Sequence, residues 1–200
     1  MITFILILIT AGISIQAFYQ SGVMDKLILN PYSIKHNNEW WRMLSSGFLH
    51  ADWSHLLMNM FVLFAFGSEV EAYYNLFFGP SGKILYPLLY VSSIIAANAS
   101  SYYKNQNNTY YNSLGASGAT SAIVFASILF NPMQKFYFGI PGIFMGIIYL
   151  VYSNYAAKQN ADRINHEAHF YGAVYGVLFT LVLKPQIGLY FIDQILRRYA

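Results

Sequence analysis

Ser117 is the side chain with the clearest potential for covalent chemistry. It lies in a stretch of small residues, Gly115-Ala116-Ser117-Gly118-Ala119. A serine hydroxyl is a poor nucleophile until a neighbouring base takes its proton. In a membrane helix the same small residues are also typical of close helix packing. The stretch therefore indicates a catalytic serine only if the chain also supplies a base.

The candidate base is His169, which is followed by glycines at positions 172 and 176. These spacings place His169, Gly172 and Gly176 on one stripe of a helix. A GxxxG surface lets a partner helix approach very closely. The matching small-residue face is that of Gly115, Gly118 and Ala122. Contact between the two faces would bring His169 within hydrogen-bonding reach of Ser117.

Donors for a developing oxyanion are offered by His55 and Asn59. Four residues apart on a helix, they share one face one turn apart, and both side chains can donate hydrogen bonds. Preorganised donors of this kind are often the largest catalytic contribution. The alternative is that they only form hydrogen bonds between helices. Because Glu167 lies off the His169 stripe, a Ser-His dyad is favoured over a Ser-His-Asp triad.

The segments that must position these residues are long and apolar. The chain of 200 residues is 56% hydrophobic and 10% charged, with a mean hydropathy of +0.41, whereas soluble domains are about 25% charged. A membrane-spanning helix needs about 20 mostly apolar residues. We therefore predict an all-α membrane protein, with residues 1–200 as a single domain. The six predicted spans are residues 1–19, 54–76, 83–101, 114–131, 136–156 and 166–184.

Features outside the spans limit the possible classes of protein. No Lys or Arg precedes the first apolar run, so Met1–Ala17 is predicted to be a retained helix rather than a cleaved signal peptide. Cysteine is absent, which excludes disulfides and cysteine chemistry. The net charge of +3, without a Lys/Arg run, argues against a nucleic-acid partner. The first loop, Gln20–Leu49, contains Trp40-Trp41 and is expected to lie in the membrane interface.

Taken together, these residues resemble the rhomboid family of intramembrane serine proteases over nearly the whole chain. The resemblance implies a six-transmembrane-helix rhomboid-like bundle with a membrane-associated first loop. The motifs that carry it, in the family's order, are Trp41-Arg42, His50-x4-His55-x3-Asn59, Gly67-x3-Glu71, Gly115-Ala116-Ser117-Gly118 and Ala168-His169-x2-Gly172-x3-Gly176.

The resemblance also implies a reaction and the residues that perform it. Ser117 would be the nucleophile and His169 its base in hydrolysing a peptide bond of a membrane-spanning substrate, with no cofactor or metal. The oxyanion donors would be His55, Asn59 and the Ser117 backbone N–H. Glu71 would brace the first loop. The remaining structural support would come from Trp41, Arg42, His50, Gly115, Gly118, Gly172 and Gly176.

Further expectations concern access to the site. The fifth helix, Phe136–Tyr155, would be a lateral gate, and the loop Lys158–His166 would cap a polar cavity. Many relatives carry an aromatic residue four positions after the serine, where it stacks on the histidine. This chain has Ser121 there, so either another residue orients His169 or Ser121 hydrogen-bonds it.

Three other interpretations remain open. A catalytically inactive rhomboid-like protein would bind membrane clients. A small transporter would need inverted repeats, and none is apparent. A metal-dependent enzyme would draw on His50, His55, His166, Glu167 and His169. The expected location is a bacterial inner membrane, with transmembrane proteins and the lipid bilayer as partners; the sequence does not predict an oligomeric state.

Overall fold

The computed structural model describes residues 1–135, 139–159 and 164–197. Regular structure in these ranges is helical, apart from two isolated β-bridges. The first loop contains three short α-helices, α2 (Ser21–Leu27), α3 (Pro31–Asn37) and α4 (Arg42–Ser45), and a 3-10 turn at Ser46–Phe48. The other helices are α1 (Ile2–Tyr19), α5 (Trp53–Phe78), α6 (Gly82–Asn105), α7 (Ser117–Phe130), α8 (Gly142–Gln159), α9 (His166–Leu183) and α10 (Gln186–Leu196).

The long helices are apolar, as expected for a membrane bundle. Within the described ranges, Ile2–Tyr19 and Trp53–Asn105 are long and apolar enough to cross a bilayer, and the second stretch contains both α5 and α6. Helices α9 and α10 form a third candidate if this pair, bent by 112°, is taken as one span. The all-helical membrane fold is therefore present, while the count of six spans stays a prediction.

Helix α7 is shorter than its predicted span. It begins at Ser117 rather than at residue 114 and has 14 residues, or about 21 Å of helix. Gly115 stops it from starting earlier, because its φ of +128° lies outside the helical region. Two residues before Gly115, Ser113 instead pairs with Leu29 of the first loop. As a result, Ser117 lies at the amino end of a helix and not within one.

Two further expectations fall partly outside the described residues. Helix α8 begins at Gly142, whereas residues 136–138 of the predicted span 136–156 are not described. Residues 160–163 of the predicted cap Lys158–His166 are also outside the described part. The cap therefore stays a prediction.

Helix α7 lies at the centre of the bundle. From Gly118 to Phe130 nearly every one of its residues is buried, and it packs against α5, α6 and α9. A Cβ atom placed on Gly176 would be 2.7 Å from the Cα of Ala122. Real Cβ atoms essentially never come this near to backbone, so α7 and α9 can meet only where glycine removes the side chain.

Candidate active site

Ser117 lies at the edge of an open cavity of about 1400 Å³. As the first residue of α7, its backbone N–H has no helical acceptor in the preceding turn. The partial positive charge of a helix amino terminus also favours negative charge nearby. The cavity therefore offers a hydroxyl group beside an amide donor suited to a developing anion.

The residues predicted for catalysis line this one cavity, although they come from three helices. Helix α5 contributes His55 and Asn59, α7 contributes Ser117, and α9 contributes His169. These four residues are separated by up to 114 positions in the sequence, so only the packing of the bundle brings them together.

Backbone contact between α7 and α9 holds the segments that carry Ser117 and His169. A Cβ atom on Gly172 would be 2.8 Å from the carbonyl carbon of Gly118 and would overlap its oxygen. A Cβ atom on Gly118 would lie 3.4 Å from the carbonyl oxygen of Ala168. Gly118 and Ala168 are the chain neighbours of Ser117 and His169. The glycines therefore set the separation of the two candidate catalytic residues.

Gly115 brings the His55 ring close to the serine. A Cβ atom there would lie 3.1 Å from His55 Nε2 and 3.5 Å from Ser117 Oγ. The positive φ of Gly115 is also a conformation that residues with a Cβ rarely adopt. Both observations require glycine between the candidate oxyanion donor and the candidate nucleophile.

The hydrogen bonds of His55 and Asn59 orient both as donors toward the cavity. The Ala51 N–H donates to His55 Nδ1 over 3.5 Å, which leaves the ring proton on Nε2, the nitrogen beside Gly115. Thr120 Oγ1 donates to Asn59 Oδ1 at 3.1 Å, and Asn59 Nδ2 donates to the His55 carbonyl at 3.0 Å. Because Nδ2 has two hydrogens, one remains for a ligand.

A chain of hydrogen bonds through His50 holds the backbone next to Ser117. The Ala116 N–H donates to His50 Nε2 at 3.4 Å, so the ring proton lies on Nδ1, which donates to Ser14 Oγ at 2.8 Å. Ser14 in turn donates to the Phe48 carbonyl at 2.8 Å. Burial, together with the nearby His55, lowers the pKa of His50 to about 3, against the opposing effect of Asp52. His50 is therefore a neutral structural residue.

Arg42 and Trp41 hold the first loop in shape. Arg42 Nη1 donates to the carbonyls of Asp25 and Ile28 at 2.7 and 2.9 Å, and its Nε pairs with Glu39 at 2.5 Å. Trp41 Nε1 donates to the Lys26 carbonyl at 3.2 Å. Arg42 is itself buried, so the guanidinium ties the backbone of α2 to the start of α4.

The contacts of Glu71 differ from the expectation that it braces the first loop. Its carboxylate accepts from the backbone N–H groups of Ile2 and Thr3 at 2.8 and 2.9 Å, and from Thr3 Oγ1 at 2.7 Å. Glu71 therefore stabilises the amino end of α1, and the predicted bracing of the first loop is wrong. The physical reason is that an acidic group is favourable beside the exposed N–H groups of a helix start.

Two residues that sequence reasoning missed hold the start of α9 or contact the His169 ring. Asn165 caps α9 by accepting from the Ala168 N–H at 3.0 Å, and it donates to Ser101 and Ser113. Its position immediately before an apolar helix is a helix-capping signal that could have identified it from the sequence. Tyr149 of α8 stacks on His169, with ring centroids 6.4 Å apart and planes at 14°. No sequence spacing points to Tyr149.

The histidines of the alternative metal interpretation lie in two groups. His50 and His55 are edge to face at 4.8 Å, and His166 and His169 are edge to face at 5.9 Å. Glu167 pairs with Lys104 at 2.5 Å. Among the residues that the structure describes, no three His, Asp or Glu side chains are placed to share one metal ion.

Comparison with known proteins relates the chain to one family. The family model described as "Rhomboid domain" matches residues 37–186. Rhomboid-like protein 11, chloroplastic, of Arabidopsis thaliana is 28% identical over 90% of this chain and 65% of its own length. Putative rhomboid protease YdcA of Bacillus subtilis is 28% identical over 73% of this chain and 68% of its own.

A further relative, Rhomboid protease GluP of Bacillus subtilis, is 27% identical over 78% of this chain but only 29% of its own length. The chain thus spans less than two thirds of some of the relatives that it matches. The match of the family model nevertheless covers most of this chain, including α5, α7 and α9. The chain belongs to the rhomboid family.

Proposed function

We propose that this integral membrane protein is an intramembrane serine endopeptidase that hydrolyses peptide bonds in or near the transmembrane segments of membrane proteins. The observation that carries the proposal is that Ser117, His169, His55 and Asn59 line one cavity. Two of the related Bacillus proteins are named rhomboid proteases, which supports the same class of reaction.

The first half of the proposed reaction forms an acyl-enzyme. Ser117 Oγ attacks the carbonyl carbon of the substrate peptide while His169 takes the hydroxyl proton. The carbonyl oxygen becomes negatively charged and accepts hydrogen bonds from His55 Nε2, Asn59 Nδ2 and the Ser117 N–H. When the carbon–nitrogen bond breaks, His169 returns the proton to the leaving amine.

The second half releases the new carboxyl end of the substrate. A water molecule attacks the ester carbonyl, and His169 accepts one of its protons. The same three donors bind the second oxyanion. Collapse of this intermediate breaks the bond to Ser117 Oγ, which regains its proton from His169. Water can reach the ester because the cavity is open and its rim carries polar groups, among them Lys104, Asn112 and Glu167.

The cavity also suggests how a membrane segment enters. It is bordered by Met58 and Val62 of α5 and by Met145 and Gly146 of α8, so it lies between these two helices. Apolar lining residues suit a lipid-embedded substrate. In this proposal α8 is the lateral gate, and six spans surround the site. A bacterial inner membrane stays the proposed location, while the relatives also include a protein named as chloroplastic.

Reconstitution tests the proposed function directly. Purified protein and a single-span substrate are combined in liposomes, and products are identified by mass spectrometry. We expect one cut in or near the transmembrane segment with wild type and none with Ser117→Ala. A folded wild type that binds the substrate and leaves it intact, as Ser117→Ala does, would favour the client-binding alternative.

The gate is tested in a separate cross-linking experiment. Because the chain has no cysteine of its own, only the introduced cysteines can react. One cysteine is introduced in the cavity-lining part of α5 and one in that of α8. Linking the two thiols with a bifunctional reagent that contains a reducible bond is expected to abolish cleavage of the membrane substrate, and reduction is expected to restore it. Full cleavage by the quantitatively cross-linked protein would contradict a gate at α8.

A further inference from the structure

A stacked aromatic partner of His169 comes from α8. The rings of Tyr149 and His169 are nearly parallel, with an angle of 14° between them and 6.4 Å between centroids. Such an offset arrangement lies within the range of favourable ring contacts. Helix α9, which carries the candidate base, therefore packs both on α7, which carries the candidate nucleophile, and on α8, which carries the aromatic ring.

The Tyr149 ring is itself held in place at two other points. Its hydroxyl is 2.7 Å from Ser121 Oγ, and Ser121 lies one helical turn after Ser117. Its ring also packs against Phe125 of α7, with centroids 5.8 Å apart. These contacts fix the position of the Tyr149 ring relative to α7. The ring can in turn fix the orientation of the His169 ring that stacks on it.

We propose that Tyr149 is the positioning residue of His169, supplied from α8 because position 121 is a serine. The inference rests on the proposed function, since a base needs positioning only if it acts as one. Small Ser121 leaves the space that the Tyr149 ring occupies, and its hydroxyl anchors the ring. A histidine that takes a proton from Ser117 must keep one ring orientation, and a displacement of about 1 Å can cost about 100-fold in rate.

Single variants separate the ring from the hydroxyl group. Tyr149→Leu removes the ring and is expected to lower kcat for the reconstituted substrate by about 10- to 100-fold. Its KM should change by less than about threefold, because the interaction acts in the chemical step. Tyr149→Phe keeps the ring and should lose only about threefold. Tyr155→Leu on the exposed side of α8 is the matched control and should behave as wild type.

A double variant tests position rather than stability. Because Ser121 Oγ is 2.7 Å from the Tyr149 hydroxyl, a tyrosine introduced at 121 can enter the volume that a smaller residue at 149 would vacate. Tyr149→Ala combined with Ser121→Tyr should therefore recover kcat relative to Tyr149→Ala alone. The acidic side of the pH profile of kcat, which reports the ionisation of the base, should then be the same in the double variant as in wild type.

The outcomes separate this inference from the proposed function. If wild type cleaves and folded Tyr149→Leu cleaves equally well, the inference is overturned and the function stands. A loss confined to KM, or equal losses in Tyr149→Leu and Tyr149→Phe, would also overturn it. If Tyr149→Leu does not fold, the folded Phe and double variants decide. A folded wild type without any cleavage overturns the function and the inference together.

Discussion

Gly172 of α9 is in direct backbone contact with Gly118 of α7: a Cβ atom on Gly172 would be 3.0 Å from the Gly118 Cα and 2.8 Å from its carbonyl carbon. Backbone cannot give way as a flexible side chain can. The separation of the two helices, and with it that of Ser117 and His169, therefore depends on the absence of a side chain at position 172.

Gly172→Ala is expected to lower the free energy of unfolding by about 1–3 kcal/mol or more. It should also abolish substrate cleavage in any protein that still folds. Thermal unfolding in detergent and the liposome assay measure the two effects. Gly12→Ala is the matched control, because in the part of the chain that the structure describes an added Cβ there meets nothing within 4 Å. A Gly172→Ala protein as stable and active as Gly12→Ala would contradict the close contact.

The lowered pKa of His50 predicts that the stability of the protein depends on pH. Its pKa is about 3 in the folded protein and about 6.5 when unfolded, so between these values the unfolded state binds more protons. The free energy of unfolding should therefore fall as the pH drops from about 6.5 toward 3, by up to about 1.4 kcal/mol per unit. The pH dependence from this residue should weaken above pH 6.5 and be absent above about pH 7.5, where the unfolded histidine is also neutral.

The contribution of His50 is isolated by comparison with His50→Gln, whose amide can also accept from Ala116 and donate to Ser14. Stability is measured for both proteins between pH 4 and 8, a range that covers the upper part of the expected window and the neutral baseline above it. The wild type should lose more stability than the variant on the acidic side. Parallel curves would contradict a lowered pKa of His50 in the folded protein.

Substitution of Asn59 tests its predicted role as a hydrogen-bond donor to the oxyanion. Asn59→Ala should lower kcat by about 100- to 1000-fold, the usual cost of removing one such donor, with little change in KM. Thr120→Val should cost less, because it only frees the Asn59 amide that Thr120 orients at 3.1 Å. Asn75→Ala on the same helix is the control, since its side-chain oxygen has no hydrogen-bond partner among the described residues. Asn59→Ala with unchanged kcat would exclude it as a donor.

Sequence patterns could predict the contact of α7 with α9 because glycine spacing maps directly onto one helical face. Gly172 and Gly176 do lie against Gly118 and Ala122. The same reasoning identified His55 and Asn59 as one face of α5, and both line the cavity with Ser117 and His169. These features depend on local periodicity, which a sequence carries.

Other features depend on how distant segments pack. The start of α7 at Ser117 follows from the positive φ of Gly115 and the pairing of Ser113 with Leu29, neither of which has a helical spacing. Glu71 binds α1 because the chain brings residues almost 70 positions apart together. Tyr149 meets His169 only through the packing of α8 on α9.

The activated serine is tested most directly by labelling detergent-solubilised protein with a fluorophosphonate probe. Wild type should be labelled, and Ser117→Ala and His169→Ala should both lose the label while remaining folded. Ser92→Ala and His36→Ala, which alter a serine of α6 and an exposed histidine of the first loop, should keep it. Undiminished labelling of Ser117→Ala, or no labelling of a folded wild type, would contradict the account.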